Sequence, residues 1–247
     1  MSIESYADWK ALRSAGRIVR LTLDALEQHA REGVTTGELD GIAAAVFAAH
    51  GARSAPSLEY GFPGTVLISV NDEVVHGIPG SRQLERGDVV KLDVTAEKDG
   101  YMADAARTIV LDGGSEIARQ LRTCVRGAFS SALKVASAGR LVSDIGRAVE
   151  AEVRRYGFSV IRGLGGHGIG HSIHEAPSVP NYHDPRQRDV LTEGLVVAIE
   201  PIICLGSGRV FEHRDGWTIK TRDGSLAAHH EHTVVITRGM PVLLTAA

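Results

Sequence analysis

The chain has 247 residues, 43% of them hydrophobic, which is enough to bury a full core as one large domain or two small ones. A formal charge of -3 gives no overall pull toward nucleic acid, and two cysteines, Cys124 and Cys204, without a CxxC argue against a disulfide scaffold or zinc ribbon and fit a reducing compartment. The charged start MSIESYADWKALRSAGRIVR lacks the apolar stretch of a signal peptide, and no run approaches the ~18 apolar residues of a membrane span, so a cytoplasmic, soluble chain is expected.

Helical spacing runs first over residues 4–31. A second helix is expected between Gly33 and Gly51, with Leu39, Ile42 and Val46 as its apolar stripe, Thr35 or Thr36 as its cap and Gly51 as its stop. Strand-like runs follow in TVLISV (65–70), GDVVKLDVTA (87–96) and YMADAARTIVL (101–111). The pattern then starts again. A helical stretch over 115–137 precedes a helix between Gly139 and Gly157, with Ser143 as capping candidate and Ile145, Val149 and Val153 as its stripe. After a glycine-rich segment come LVVAIEPIIC (195–204) and EHTVVIT (231–237). From Gly51 to Asp93 is 42 residues and from Gly157 to Glu200 is 43, so helices and acids keep a common offset to within one residue. These landmarks predict a duplicated αα–ββ unit, residues 33–105 and 139–235, within one domain spanning 1–247 and with a site between the halves. Helices followed by strands in each half predict an α+β fold with a largely antiparallel sheet.

The chemistry is carried by polar residues inside apolar runs. Asp93 interrupts VVKLDVTA and Asp104 sits in YMADAARTIV; a buried aspartate costs several kcal/mol unless it is paired or bound to a cation. If the two pair directly across a two-residue hairpin turning at Lys98–Asp99–Gly100, both side chains share one face, where they repel unless a cation lies between them. The plainer alternative is that each faces solvent or pairs with Arg107 or Lys91. Glu200, at the end of LVVAIEP, and Glu231, opening EHTVVIT, repeat the anomaly in the second half. In GLGGHGIGHSIHEAP (163–177) the spacing Gly163-x-Gly165-x-x-Gly168 matches a dinucleotide fingerprint, but Pro177, Pro180 and the histidines oppose the helix such a motif must open. A glycine-rich loop presenting His167 and His174 is expected instead. Four carboxylates and an imidazole suit divalent Mn, Fe, Co or Zn in a hydrolytic pair rather than a thiolate-bound structural zinc. No GxSxG competes.

In order along the chain, VNDEVVHGIP (70–79), KLDVT (91–95), ADAART (103–108), GHGIGHSIHEAP (166–177), IEP (199–201) and EHT (231–233) resemble the motifs of type I methionine aminopeptidases of the pita-bread fold, in their short bacterial form. The resemblance covers nearly the whole chain. It implies two divalent ions held by Asp93 as a terminal ligand, Asp104 and Glu231 as bridging ligands, His167 as the imidazole ligand and Glu200 as a ligand that also shuttles protons. It further implies His174 at the developing oxyanion, His76 at the leaving amide nitrogen, and an apolar methionine pocket from Phe62, Leu67, Ile173 and Trp217, with Tyr60 beside it. Nascent polypeptides beginning with Met and carrying a small second residue would be the substrates. The chain's own Met1-Ser2 start fits that description. A weak ribosome contact, a monomeric state, and no DNA or membrane partner complete the expectation.

Three positions depart from the family pattern. His229 stands where a Gln often precedes the bridging glutamate, HEAP replaces the commoner HEEP, and Leu67 falls where many members carry a cysteine. Two other readings use the same residues. A prolidase or X-Pro aminopeptidase shares the ligand set but usually carries an extra N-terminal domain, for which the 35 residues before the first duplicated helix leave no room. A non-catalytic peptide-binding relative would keep the fold and lose ligands, yet all five ligand positions are filled.

Overall fold

A computed structural model describes residues 1–246. Helix α1 (Tyr6–His29) opens on a capping box in which Ser5 accepts from the Asp8 N–H and the Asp8 carboxylate accepts in return from Ser5. Helix α2 (Thr36–His50) opens the same way on Thr35 and Glu38 and ends at Gly51 in the left-handed region, so of the two threonines Thr35 is the cap. Its buried face is Leu39, Ala43 and Phe47, with Ile42 and Val46 half-buried at the margin. Beyond the short β1 (Arg53–Ser54) and α3 (Ala55–Tyr60), the chain forms β2 (Leu67–Val70), β3 (Glu73–Val75), β4 (Val89–Lys98) and β5 (Tyr101–Val110). Strand β4 takes β1 and β2 along one edge and β5 along the other, all antiparallel.

The second half repeats the order. Helix α4 (Glu116–Leu133) and helix α5 (Val142–Arg155) precede β6 (Ser159–Val160), β7 (Gly165–Gly168), β8 (Glu175–Pro180) and β9 (Val196–Ile199). Next come β10 (Ile202–Cys204), β11 (Val210–Glu212), β12 (Ile219–Thr221), β13 (Ala227–His229), β14 (His232–Val235) and β15 (Val242–Leu243). The main sheet here runs β15-β14-β9-β7-β8, again antiparallel, and two smaller sheets, β13-β10-β6 and β11-β12-β3, flank it. Ser143 does not cap α5. The cap is Leu141, without a side-chain bond, and Ser143 is buried inside the first turn.

Each helix pair covers one face of its sheet. On β4, Val90, Leu92, Val94 and Ala96 join Leu23 and Leu26 of α1 and Leu39 and Phe47 of α2 in one core cluster. In the second half, Phe129 of α4 and Ile145 and Val149 of α5 pack on Val197, Ile199 and Val234. Because side chains alternate along a strand, Asp93 and Thr95 of β4 and Asp104 and Thr108 of β5 must face away from the helices. That face meets the other half.

Candidate active site and metal centre

The β4–β5 hairpin turns through Asp99 and Gly100, both with positive φ, as a two-residue type I′ connection requires. This turn sets the register: Asp93 lies opposite Ala106, and Thr95 opposite Asp104. The two aspartates are therefore diagonal neighbours rather than a direct pair. They still share a face, because the offset is two residues, the period of the strand. Neither proposed cation partner reaches them. Arg107 is held by Asp24 at 2.7 Å and Glu27 at 3.1 Å, and the Lys91 ammonium donates to the Asn71 carbonyl at 2.8 Å.

Opposite this face the chain of the second half crosses. The Glu231 N–H donates to the Ala106 carbonyl at 3.0 Å, and the Ala106 N–H returns a bond to Glu231 O at 3.3 Å. On one side the Thr233 hydroxyl donates to Asp104 O and accepts from Asp104 N, both at 2.8 Å. On the other side Thr108 does the same for His229. Asp104, Ala106 and Thr108 thus pair with Thr233, Glu231 and His229.

His167 lies within β7, so the glycine-rich segment is partly a strand and not the free loop expected from its sequence. A Cβ at Gly166 would sit 2.2 Å from the Ala198 carbonyl oxygen, and only glycine lets β7 lie this close to β9. The His167 Nδ1–H donates to the Gly168 carbonyl at 2.9 Å, leaving Nε2 as the lone-pair nitrogen, 3.4 Å from Glu200 Oε1. His174 follows in the β7–β8 connection, its ring 4.3 Å from that of His167. The Tyr60 hydroxyl bonds His174 Nδ1 at 2.7 Å; with that hydroxyl as donor, the ring hydrogen sits on Nε2. His76 has its backbone in the left-handed region, φ 60°, and burial together with His174 lowers its pKa.

Two groups of donor atoms come together, Asp104 with His167 and Glu231, and Asp93 with His229 and Glu231; within each group the atoms lie within 4.8 Å of one another. Burial raises the pKa of Asp93, Glu200 and Glu231 far above the usual carboxylate range, and that of Asp104 to about 7. Burial also drives His167 down to about 4, so its imidazole is neutral and ligand-ready. Asp104 Oδ1 and Glu231 Oε1 are buried without a hydrogen-bond partner. Carboxylate oxygens and imidazole lone pairs facing one another leave an unmet need for positive charge, and divalent cations satisfy it. The donor set fits a metal centre.

All the candidate site residues read from the sequence line one cavity of about 350 Å³: the four acids and His167, with His76, His174, Tyr60, Phe62, Leu67, Ile173 and Trp217. Phe62 and Trp217 meet edge to face at 5.2 Å. Val75, Leu164 and Ile202 add to the apolar wall and were not anticipated. Nor was His229 as a wall residue, although its place two residues before Glu231 in an extended segment puts both on one face.

Comparison with known proteins agrees with this centre. The profile of metallopeptidase family M24 matches residues 10–238. "Methionine aminopeptidase 2" of Bacillus subtilis is 44% identical over 247 residues, with 99% of each chain covered. The chain belongs to the methionine aminopeptidases of metallopeptidase family M24. A methionine aminopeptidase of Thermotoga maritima superposes with a TM-score of 0.96 at 33% identity, covering 100% of both chains. A prolidase of Pyrococcus furiosus shares the fold alone, with a TM-score of 0.80 at 23% identity, and this chain covers 65% of it. The α+β fold of helices over antiparallel sheets is thus the pita-bread fold of this metal-dependent hydrolase family. No helix among the described residues is long and apolar enough to cross a membrane.

Proposed function

We propose that the chain removes N-terminal methionine from peptides and nascent proteins whose second residue is small. The observation that carries this reading is the cluster of half-buried Asp93 with buried Asp104, His167, Glu200 and Glu231 at the wall of an apolar cavity that also holds His76 and His174. In this reading those five residues hold two divalent ions, of Co, Mn, Fe or Zn, about the pseudo-twofold relating 33–105 to 139–235. Bound there, the ions would supply a water ionised near neutral pH, polarise the scissile carbonyl and anchor the free α-amine. Glu200 accepts the proton of the attacking water and returns it to the leaving amine. His174 donates its Nε2–H to the developing oxyanion, and His76 bonds the nitrogen that leaves. Phe62, Leu67, Ile173, Trp217 and the ring of Tyr60 enclose an unbranched apolar side chain. The same reading makes the enzyme a cytoplasmic monomer with at most a weak ribosome contact.

A prolidase activity is disfavoured because the prolidase likeness rests on fold alone, whereas relatives above 30% identity are methionine aminopeptidases. The test compares metal-dependent release of methionine from Met-Ala-Ser with hydrolysis of Ala-Pro. Cleavage of the first and not the second is expected. The reverse preference would establish the alternative.

A further inference from the structure

His229 is one of the three positions where this chain leaves the family pattern, and its ring faces Asp93, Glu200 and Glu231 of the cluster. Its side chain is almost fully buried, with only 1% of the residue exposed. Nε2 lies 3.3 Å from Glu200 Oε2 and 3.4 Å from Glu231 Oε2, and Nδ1 lies 3.9 Å from Asp93 Oδ2. Neither ring nitrogen has a hydrogen-bond partner. A neutral imidazole has one N–H and one lone pair, and ionised carboxylates facing it accept from the first but offer nothing to the second, which is left for a cation. The glutamine common at this position can turn its amide donors toward such acceptors; histidine cannot satisfy its lone pair that way.

The main chain at His229 is not free to relieve this contact. Thr108 holds its N–H and its carbonyl, so the ring is fixed facing the acids. The clamp that Thr108 makes on His229 mirrors the one that Thr233 makes on Asp104, whose carboxylate belongs to the other donor group.

We propose that His229 is a further metal ligand in this chain, giving the Asp93–Glu231 group a nitrogen donor to match the one that His167 gives the Asp104–Glu231 group. The inference rests on the two-ion reading above. A site with an imidazole in each half favours borderline cations such as Co, Fe and Zn over hard Mn, because nitrogen ligands suit the former.

The test is proton NMR of the Co(II)-loaded enzyme in water, with Co(II) binding followed by calorimetry. Each coordinated imidazole contributes one exchangeable N–H resonance shifted far outside the ordinary range. The wild type is expected to bind two Co(II) and show two such resonances. His229→Gln is expected to lose one of them and weaken the second Co(II) by about tenfold or more, with Mn(II) binding changed less. Two Co(II) with a single shifted N–H in the wild type, unchanged in His229→Gln, overturns the inference and leaves the two-ion reading standing. Fewer than two Co(II) in the wild type overturns both. The wild-type spectrum decides even if the variant misfolds, and His229→Asn provides a second variant.

Discussion

Thr108 grips the main chain of His229 from both sides: its hydroxyl donates to the carbonyl oxygen at 2.6 Å and accepts from the N–H at 2.9 Å. The two residues are 121 positions apart, so one hydroxyl joins β5 to the segment leading into Glu231. The Thr233–Asp104 contact mirrors it. Together they fix Asp104, Glu231 and His229 relative to one another without any charged partner.

Thr108→Val removes the hydroxyl while keeping the shape and leaves a buried N–H and C=O unpaired. A loss of about 1–3 kcal/mol in chemical denaturation is expected. Thr108→Ser, which keeps the hydroxyl, should lose much less. Equal losses in both variants would mean that the methyl group matters and the clamp does not.

The Tyr60–His174 contact assigns a second prediction. His174→Ala should lower turnover far more than it lowers metal content, because His174 faces the cavity and belongs to neither donor group. Tyr60→Phe frees Nδ1 from its hydroxyl partner and should lower kcat by a smaller factor, with metal content unchanged. Metal lost in step with activity in His174→Ala would overturn its assignment.

Much of the fold could be read ahead of the structure, and the reason lies in strand periodicity. In β4, Val90, Leu92 and Val94 alternate with Lys91, Asp93 and Thr95, so the odd positions stand out as a polar face on an apolar strand. Asp99-Gly100 announces the turn. Strands β3, β10, β11, β12 and β13 have three residues each, too few to show any period, and their pairing is made by distant segments. Ser143 misled because capping preference is local, whereas the start of α5 is set by Val142 and Ile145 packing into the core. The direct Asp93–Asp104 pairing failed by two residues because the turn is Asp99-Gly100 alone, with Lys98 already paired to Tyr101. His229 could be read only as a departure from the family pattern; its spacing from Glu231 gives a shared face, but its fixed place among the acids depends on Thr108 of β5, far off in sequence.

Two helical glycines give opposite predictions. Gly41 in α2 has nothing within 4 Å of an added Cβ, so Gly41→Ala should stabilise by roughly 0.5–1 kcal/mol through helix propensity. A Cβ at Gly146 in α5 would lie 2.1 Å from the Tyr182 carbonyl oxygen and 2.6 Å from that of Pro180. Gly146→Ala should therefore destabilise despite its better propensity. Thermal unfolding of both variants checks this; a gain at Gly146 would show that α5 can move off β8.

The N-terminus supplies a fourth prediction. The Met1 ammonium pairs with Glu175 and donates to the Ile169 carbonyl at 3.2 Å, while Met1 O accepts from the Val196 N–H at 2.9 Å. Its side chain packs over Gly170 beside Ile169 and Ile173. A Met-Ser start is the kind of substrate proposed for the enzyme, yet in the folded chain this start is held in place. Intact-mass measurement of folded Met1-containing protein after incubation with active enzyme should show no loss of methionine, while a Met-Ser-Ile peptide is cut. Loss of methionine from the folded protein would show that these contacts open readily; an uncut peptide would remove the second-residue claim.

In the proposed function, hydrolysis depends on cations bound among Asp93, Asp104, His167, Glu200 and Glu231. Metal-free protein titrated with Co(II), with methionine release from Met-Ala-Ser and thermal stability followed on the same samples, tests it most directly. Stability should rise as the carboxylates gain their counter-charge, by about 2.7 kcal/mol at a Co(II) concentration 100 times Kd. Release should be absent before the first addition and climb as the sites fill. Full release by the metal-free protein, or saturated binding without any release, would contradict it.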